Sequence, residues 1–292
     1  MNRLLSRFSR LCLLILFLSS AAVTRAAEPT LKLDAATRDR CLTVLRAGLR
    51  GDDFWPSIHA AEGLTQGGYW IEVCEFLEPK LAGERDDQRR CGIARELVRA
   101  GNRAKASVLL EILASDDDHG HVHAAESLFK IDEIGDGHSI RLGLATTENI
   151  RLRLMAAAAL GRAGSPAAME VLRETLADKE PDIARLAGWV LGRIGDESDI
   201  PRLKQRLASC DDKLARAFIE HSLAALGDKA GQQALRRNLT SDDGAVRTYA
   251  AVFAGDARMV DVAPQLKQML DDPEPDAAIR AAQTLLWLAA EK

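Results

Sequence analysis

The chain has 292 residues, with 43 acidic against 39 basic side chains and a formal net charge of −4. An acidic balance gives the protein no overall electrostatic reason to bind nucleic acid or anionic lipid. Aromatic residues make up only 4% of the sequence. The abundance of Ala and Leu suits helices packed through small residues better than a β-sheet.

The first 26 residues have the order of a secretory signal peptide. An apolar run over residues 11–18 leads into a small-residue tail, and it is preceded by Arg3, Arg7 and Arg10. We predict cleavage after residue 26 and a secreted or periplasmic protein. The uncharged stretch 11–24 is shorter than the ~20 residues of a spanning helix, so no membrane insertion is expected after cleavage. An uncleaved N-terminal anchor is the alternative.

Four cysteines follow this segment, at Cys41, Cys74, Cys91 and Cys210. An even number in an oxidising compartment permits two disulfides. The sequence has no C-x-x-C spacing, which argues against a structural zinc site. Cys41 and Cys74 are more simply explained as small core residues.

A glycine recurs along the chain at steps of 34, 34, 29, 31, 32 and 28 residues. Each glycine follows a helical run of small residues and precedes a second amphipathic run. A period near thirty with two helical segments per repeat is typical of an α-solenoid. We therefore predict no strands and a glycine in or beside the turn within each helix pair, at Gly67, Gly101, Gly135, Gly164, Gly195, Gly227 and Gly255.

The predicted fold is all-α, a right-handed solenoid of about seven helix pairs with a capping helix at each end. A signal peptide over 1–26 precedes a linker and capping helix over 27–53, in which Asp34 is placed to cap the helix. The repeats and a lone final helix occupy 54–292. A solenoid core grows lengthwise, so the chain need not split into several domains.

The repeats carry a family resemblance. The phrases IRLRLMAAAALGRAG, IARLAGWVLGRIGD and IRAAQTLLWLA resemble HEAT-like repeats of the phycobilisome-lyase type, over nearly all of the chain from about residue 54. Proteins with such repeats include bilin lyases, a di-iron hydroxylase and plain scaffolds. The hydroxylase holds its metal through His-Glu dipeptides. This sequence contains none, so that chemistry does not carry over.

The N-terminal third contains the tetrapeptide His-Ala-Ala-Glu twice, at His59 and at His123, two repeat lengths apart. Within each copy His and Glu share a helix face, and aromatic residues lie nearby. We predict a binding surface on the first three repeats, formed by Trp55, His59, Glu62, Arg90, Cys91, His121, His123 and Glu126. The alternative is structural: His and Glu form hydrogen bonds across repeats, or one repeat was duplicated and its sequence was retained.

A single metal ion cannot use both tetrapeptides. Packed helices are ~8–10 Å apart, which places His59 and His123 nearly two helix spacings apart, whereas a metal ligand lies ~2 Å from its ion. We predict no bound metal and no cofactor.

A basic residue follows the core apolar residue of five successive second helices, at Arg141, Arg173, Lys204, Arg236 and Lys267. We call this set the basic ladder. One residue past a core leucine lies ~100° around the helix. The simpler interpretation is that each long stem covers the seam between repeats. The functional alternative is a basic column on the concave side that faces an acidic partner.

These patterns favour an exported scaffold that binds a protein or peptide partner, not nucleic acid, through its first three repeats. Repeats four to seven, which have almost no histidine, are expected to be a rigid extension. The alternative is an enzyme or metal-binding protein that uses the His/Cys/Glu cluster of the first three repeats.

Overall fold

The computed structural model describes residues 30–290, and within that range it contains sixteen α-helices and no strand. The predicted signal peptide lies outside the described residues. Among those described, no helix combines the length and apolar character needed to cross a membrane. The all-α prediction is confirmed over this part of the chain.

The helices alternate between two layers, as the repeat pattern predicts. The first helices of the pairs are α2 (Phe54–Gln66), α4 (Asp87–Arg99), α6 (His121–Ile131), α8 (Ile150–Arg162), α10 (Pro181–Ile194), α12 (Lys213–Ala225) and α14 (Gly244–Asp256), followed by α16 (Pro275–Ala289). The second helices are α3 (Trp70–Gly83), α5 (Ala106–Leu113), α7 (His138–Thr146), α9 (Pro166–Thr175), α11 (Ile200–Ala208), α13 (Lys229–Asn238) and α15 (Ala263–Gln268), preceded by α1 (Ala35–Leu49). Seven consecutive pairs thus lie between α1 and α16.

Local sequence sets the ends of these helices. Helix α1 begins where Asp34 accepts a hydrogen bond from the backbone of Thr37, which confirms the predicted cap. Pro166 and Pro201 stand in the first turns of α9 and α11, where a missing N–H removes no helical bond. The side chain of Asp243 caps α14 by accepting hydrogen bonds from the backbone N–H groups of Ala245 and Val246. An aspartate just before the first turn thus sets the start of both α1 and α14.

The predicted turn glycines lie in or beside the turns between paired helices. Gly164 and Gly227 have φ values of +91° and +89°, which a side chain would make unfavourable. In the last pair the positive φ belongs to Arg258, while Gly255 stays within the final turn of α14. There the reason is contact, because a Cβ on Gly255 would lie 2.5 Å from a ring carbon of Trp287.

The two terminal helices do not cap opposite ends of an open rod. They pack against each other, and α16 also packs on α2 as closely as neighbouring first helices do elsewhere. The backbone N–H of Leu31 donates to the carbonyl of Leu288 at 2.9 Å. The first helices therefore close into a ring of eight, with α1 on the outside of α16. The two ends of the chain together form an eighth helix pair.

Small residues allow this close packing of the inner layer. Ala156 to Ala159 on α8 and the Ala281–Ala282 pair on α16 are buried. The continuous core runs around the ring between the two layers, filled by residues such as Leu172 and Leu235 of the second helices. The polar face of the first helices is left to surround the ring centre.

Candidate functional site

The ring of first helices surrounds a cavity of about 390 Å³. In the described chain, side chains from seven of the eight first helices line it. One group of lining residues is aromatic, at Trp55, Trp189, Phe218, Tyr249 and Phe253. A second group is charged or titratable, at His59, Glu62, Arg95, His123, Glu126, Lys130, Arg185, Arg193, Asp276 and Arg280.

The first predicted cluster enters this cavity in part. Five of its eight residues line the cavity, namely Trp55, His59, Glu62, His123 and Glu126. The indole of Trp55 stacks on the imidazole of His123, with ring centroids 5.3 Å apart. Trp55 retains 37% of its exposure. It therefore stands on the cavity wall with a face available to solvent.

The other three residues of that cluster lie elsewhere. Cys91 is fully buried in the core, and its thiol donates to the carbonyl of Gly120. Arg90 pairs with Asp87 on its own helix. His121 lies at the start of α6, with Nε2 3.1 Å from the carbonyl oxygen of Ser115. The expectation that all eight side chains converge on one patch was wrong for these three, because the first helices turn this part of their surface away from the cavity.

The burial of Cys91 also bears on the enzyme alternative. Burial raises the pKa of the Cys91 thiol to about 12, so almost no reactive thiolate exists near neutral pH. All four cysteines of the described chain are free, and three of them are buried. In residues 30–290 no group of three or more His, Cys, Asp or Glu side chains is arranged to hold a metal ion.

The two predicted histidines that line the cavity, His59 and His123, are half-buried and make different contacts. Nδ1 of His59 lies 2.8 Å and 3.0 Å from the two carboxylate oxygens of Asp276. Burial, together with the nearby Arg280, lowers the pKa of His59 to about 4. Nδ1 of His123 is buried and finds no hydrogen-bond partner within the described residues, and burial lowers its pKa as well. Both rings are therefore neutral at pH 7.

The glutamates of the two His-x-x-Glu pairs belong to a network of ion pairs in the lining of the cavity. Glu62 accepts from Arg99 at 2.8 Å and from Arg280 at 2.8 Å. Glu126 accepts from Lys130 at 2.6 Å. The cationic neighbours lower the pKa of Glu126 to about 2 against the opposing effect of burial. Each glutamate is thus ionised and already engaged.

Sequence reasoning missed the contribution of the later repeats. Arg185, Trp189 and Arg193 of α10 line the cavity at four-residue spacing, and Asp276 and Arg280 reach it from α16. Repeats four to seven therefore do more than extend the scaffold. The available signal was the i, i+4, i+8 stripe on α10, which is charged and aromatic where a buried face would be aliphatic.

The basic ladder lies on the second helices, outside the ring. Arg173 bonds to Asp199, Lys204 to Asp228 and Arg236 to Asp261, at 2.7, 2.5 and 2.7 Å. Lys267 continues the series across the chain ends to Asp34, at 3.1 Å. Each acid stands at the start of the next second helix. Only Arg141 differs among the rungs, since it donates to the carbonyl of Asp136 in its own loop.

These contacts match the seam-covering interpretation of the ladder. The concave column of the functional alternative does not form, because the cavity is lined by first helices and the rungs stand on second helices. The rungs join successive repeats through charge-assisted bonds to helix starts.

A larger groove of about 580 Å³ lies on the outer side, between α9 and α11. Its lining comes mainly from loops and helix ends, and Arg206 there donates to the carbonyls of Asp178 and Ser209. This groove lacks aromatic side chains, which leaves it without an anchor for a partner. The central cavity is the stronger candidate.

Comparisons with known proteins identify HEAT repeats in part of the chain. Residues 140–224, from α7 to α12, match the family model described as HEAT repeats. Human deoxyhypusine hydroxylase in complex with glycerol is similar at a TM-score of 0.40 and 17% identity, over 86% of this chain and 97% of that one. YibA of Escherichia coli is similar at a TM-score of 0.34 and 16% identity, over 87% of this chain and 97% of that one. A comparison of the sequence with curated proteins finds no match.

Proposed function

We propose that this HEAT-like repeat protein is an exported scaffold that binds a segment of a protein partner in its central cavity. The observation that supports it best is the convergence of aromatic and charged side chains from both ends of the chain on one cavity. The volume, about 390 Å³, lies in the ~300–1,000 Å³ range of ligand pockets. Export is inferred from the N-terminal sequence alone.

The aromatic lining supplies the apolar part of such a site. Trp55 stands at the start of α2 and Trp189 in the middle of α10, so the two indoles come from opposite parts of the sequence. Trp and Tyr are among the residues that most often dominate binding energy at protein interfaces. Of those in the lining, Trp55 is 37% exposed and Tyr249 is half-buried, whereas Trp189 is 8% exposed. The predicted site on the first three repeats is thereby extended to include α10, α12, α14 and α16.

A peptide selection tests this function. A displayed library of random dodecamers is panned against the purified protein and against the Trp55→Ala variant. We expect enrichment on the parent protein that is lost on Trp55→Ala. The matched control is Trp70→Ala, since Trp70 is 50% exposed on α3 and does not line the cavity. Enrichment that survives Trp55→Ala and disappears with Trp70→Ala would move the site out of the cavity.

The enzyme or metal-binding alternative has a separate test. Metal analysis of the purified protein should find no stoichiometric metal if the cavity is a peptide site. One tightly held metal ion per chain, lost in a His59→Ala, His123→Ala double variant, would favour the alternative.

A further inference from the structure

The central cavity is more basic than the protein that encloses it. Five cationic and three anionic side chains line it, whereas the whole chain carries an excess of acids. The cations are Arg95, Lys130, Arg185, Arg193 and Arg280, and the acids are Glu62, Glu126 and Asp276. Low-dielectric walls strengthen the field of such a lining.

The acids in the lining are all engaged. Glu62 is held by two arginines, Glu126 by Lys130 and Asp276 by His59. Two further acids pair with cations of the lining. Glu96 accepts from Arg95 at 2.6 Å, and Asp256 forms an ion pair with Arg193 at 2.9 Å. A cationic ligand would have to displace an existing hydrogen-bond or ion-pair partner from each of these lining carboxylates, and that requirement argues against one.

Arg185 and Arg193 are the most exposed arginines of the lining and keep unused donors. Arg193 forms an ion pair with Asp256 through Nη2, and Arg185 donates to Asp182 through Nε and Nη2. In the described part of the chain, neither Nη1 group has a partner. Each side chain retains 18% of its exposure. Both stand on the cavity face of α10, two helical turns apart.

The same two guanidinium groups lie against aromatic rings. Arg193 is 5.2 Å from the ring centroid of Trp189, and Arg185 is 4.9 Å from that of Phe218. Planar contacts of this kind hold an arginine in place while leaving its edge free to donate. An oxyanion bound there would sit beside a flat apolar surface.

The titration of neighbouring cations is consistent with uncompensated positive charge. Burial and the charge of Arg95 lower the pKa of Lys130 to about 8, although Glu126 opposes this. The pKa of Arg162, just outside the lining, is lowered by burial and by Arg193. A bound anion would relieve the repulsion among these groups.

We propose that the segment bound in the cavity is acidic, with a carboxylate that accepts from Arg185 or Arg193 beside an aromatic or aliphatic side chain that packs on the aromatic lining. The inference rests on the proposed function, since it assumes that a peptide segment is the occupant. A Glu or Asp side chain and a free C-terminus offer the same carboxylate.

The selected dodecamers supply the test. A consensus peptide is synthesised with its acidic residue, with the amide in its place (Glu→Gln or Asp→Asn), and with a free or an amidated C-terminus. Binding is measured by titration calorimetry against the parent protein, Arg185→Gln and Arg193→Gln. We expect the loss of the recognised carboxylate to weaken binding at least ten-fold. At least one arginine variant should show a similar loss for the acidic peptide and little further loss for the amide peptide.

The controls separate this proposal from the broader function. Arg202→Gln changes an exposed arginine of the outer groove and should leave affinity unchanged. Arg185→Gln is the safer variant for folding, because its partner Asp182 is 57% exposed. Enriched peptides that lack an acidic residue and a carboxylate dependence would overturn the inference and leave the function standing. No enrichment at all would overturn both.

Discussion

His59 and Asp276 are hydrogen-bonded across 217 residues of chain. Two further contacts, Arg280 to Glu62 and Gln283 to Gln66, follow in the same order with separations of 218 and 217 residues. The nearly constant offset shows that α2 and α16 lie parallel and in register, as successive first helices of one series. The ring therefore closes without a break in the repeat pattern, although α16 and α2 lie at opposite ends of the described chain.

The basic ladder gives a prediction about stability. Arg173→Ala leaves Asp199, with 1% side-chain exposure, without its cation, and uncompensated buried charge is costly. We expect a loss of about 3 kcal/mol in the free energy of unfolding. Arg236→Ala is the matched control on the same ladder. Its pair with Asp261 is largely exposed, so the loss there should stay below about 1 kcal/mol. Urea denaturation measures both, and equal losses would contradict the argument.

Close helix packing gives a second prediction. A Cβ on Gly231 would lie 2.6 Å from the backbone nitrogen of Ala224 and 2.7 Å from Cβ of Leu223. Gly231→Ala should therefore push α13 away from α12 and cost about 1–3 kcal/mol. At the end of α3, a Cβ on Gly83 would have no atom within 4 Å. Gly83→Ala should leave the thermal midpoint unchanged or slightly higher.

The buried imidazole of His221 predicts a pH dependence. Burial lowers the pKa of His221 from 6.5 to about 3, so the folded state holds it neutral while the unfolded state takes up a proton. The contribution of His221 to the free energy of unfolding should not change with pH above 6.5, and it should reduce that free energy as pH falls from 6.5 toward 3. In His221→Gln the decrease between pH 6.5 and 4 should be smaller. His138→Gln, at an exposed histidine of α7, should reproduce the parent curve.

Cysteine labelling checks the described core directly. Cys41, Cys91 and Cys210 are buried, and Cys74 is half-buried. Burial raises the pKa of Cys41 to about 11 and that of Cys91 to about 12. Iodoacetamide should modify Cys74 first in the native protein and reach the other three only after unfolding. Peptide mapping by mass spectrometry would show the order. Rapid native labelling of Cys91 would mean that α4 is packed differently.

The helix pairs could be predicted from the sequence because their causes are local. Gly164 and Gly227 mark turns, and Asp34 marks a helix start, within a few residues of their effects. Ring closure depends on the rotation between neighbouring repeats. Small differences in side-chain packing set that rotation, so it cannot be predicted from any single residue.

The candidate site was predicted in part for the same reason. His59 and His123 were found because they repeat at a fixed spacing within one region. Asp276 and Arg280 face them only once the ring has closed, so nothing near them in the sequence connects them to His59 or Glu62. Cys91 shares the 32-residue spacing of the histidines but is buried in the core. The α4 residue that lines the cavity is Arg95, 33 residues after Glu62, and one residue of difference in register turns a side chain ~100° around its helix.

The eighth pair, assembled from α1 and α16, has a consequence for how the chain resists local unfolding. In an open repeat array the terminal units have one neighbour and fray first. Here every helix pair has two neighbours, so opening any one of them breaks two interfaces. The chain ends could then be moved to another loop without changing how the helices pack. A circular permutant that joins residue 290 to residue 30 through a short linker, with new ends in the loop at 147–149, should fold to the same ring.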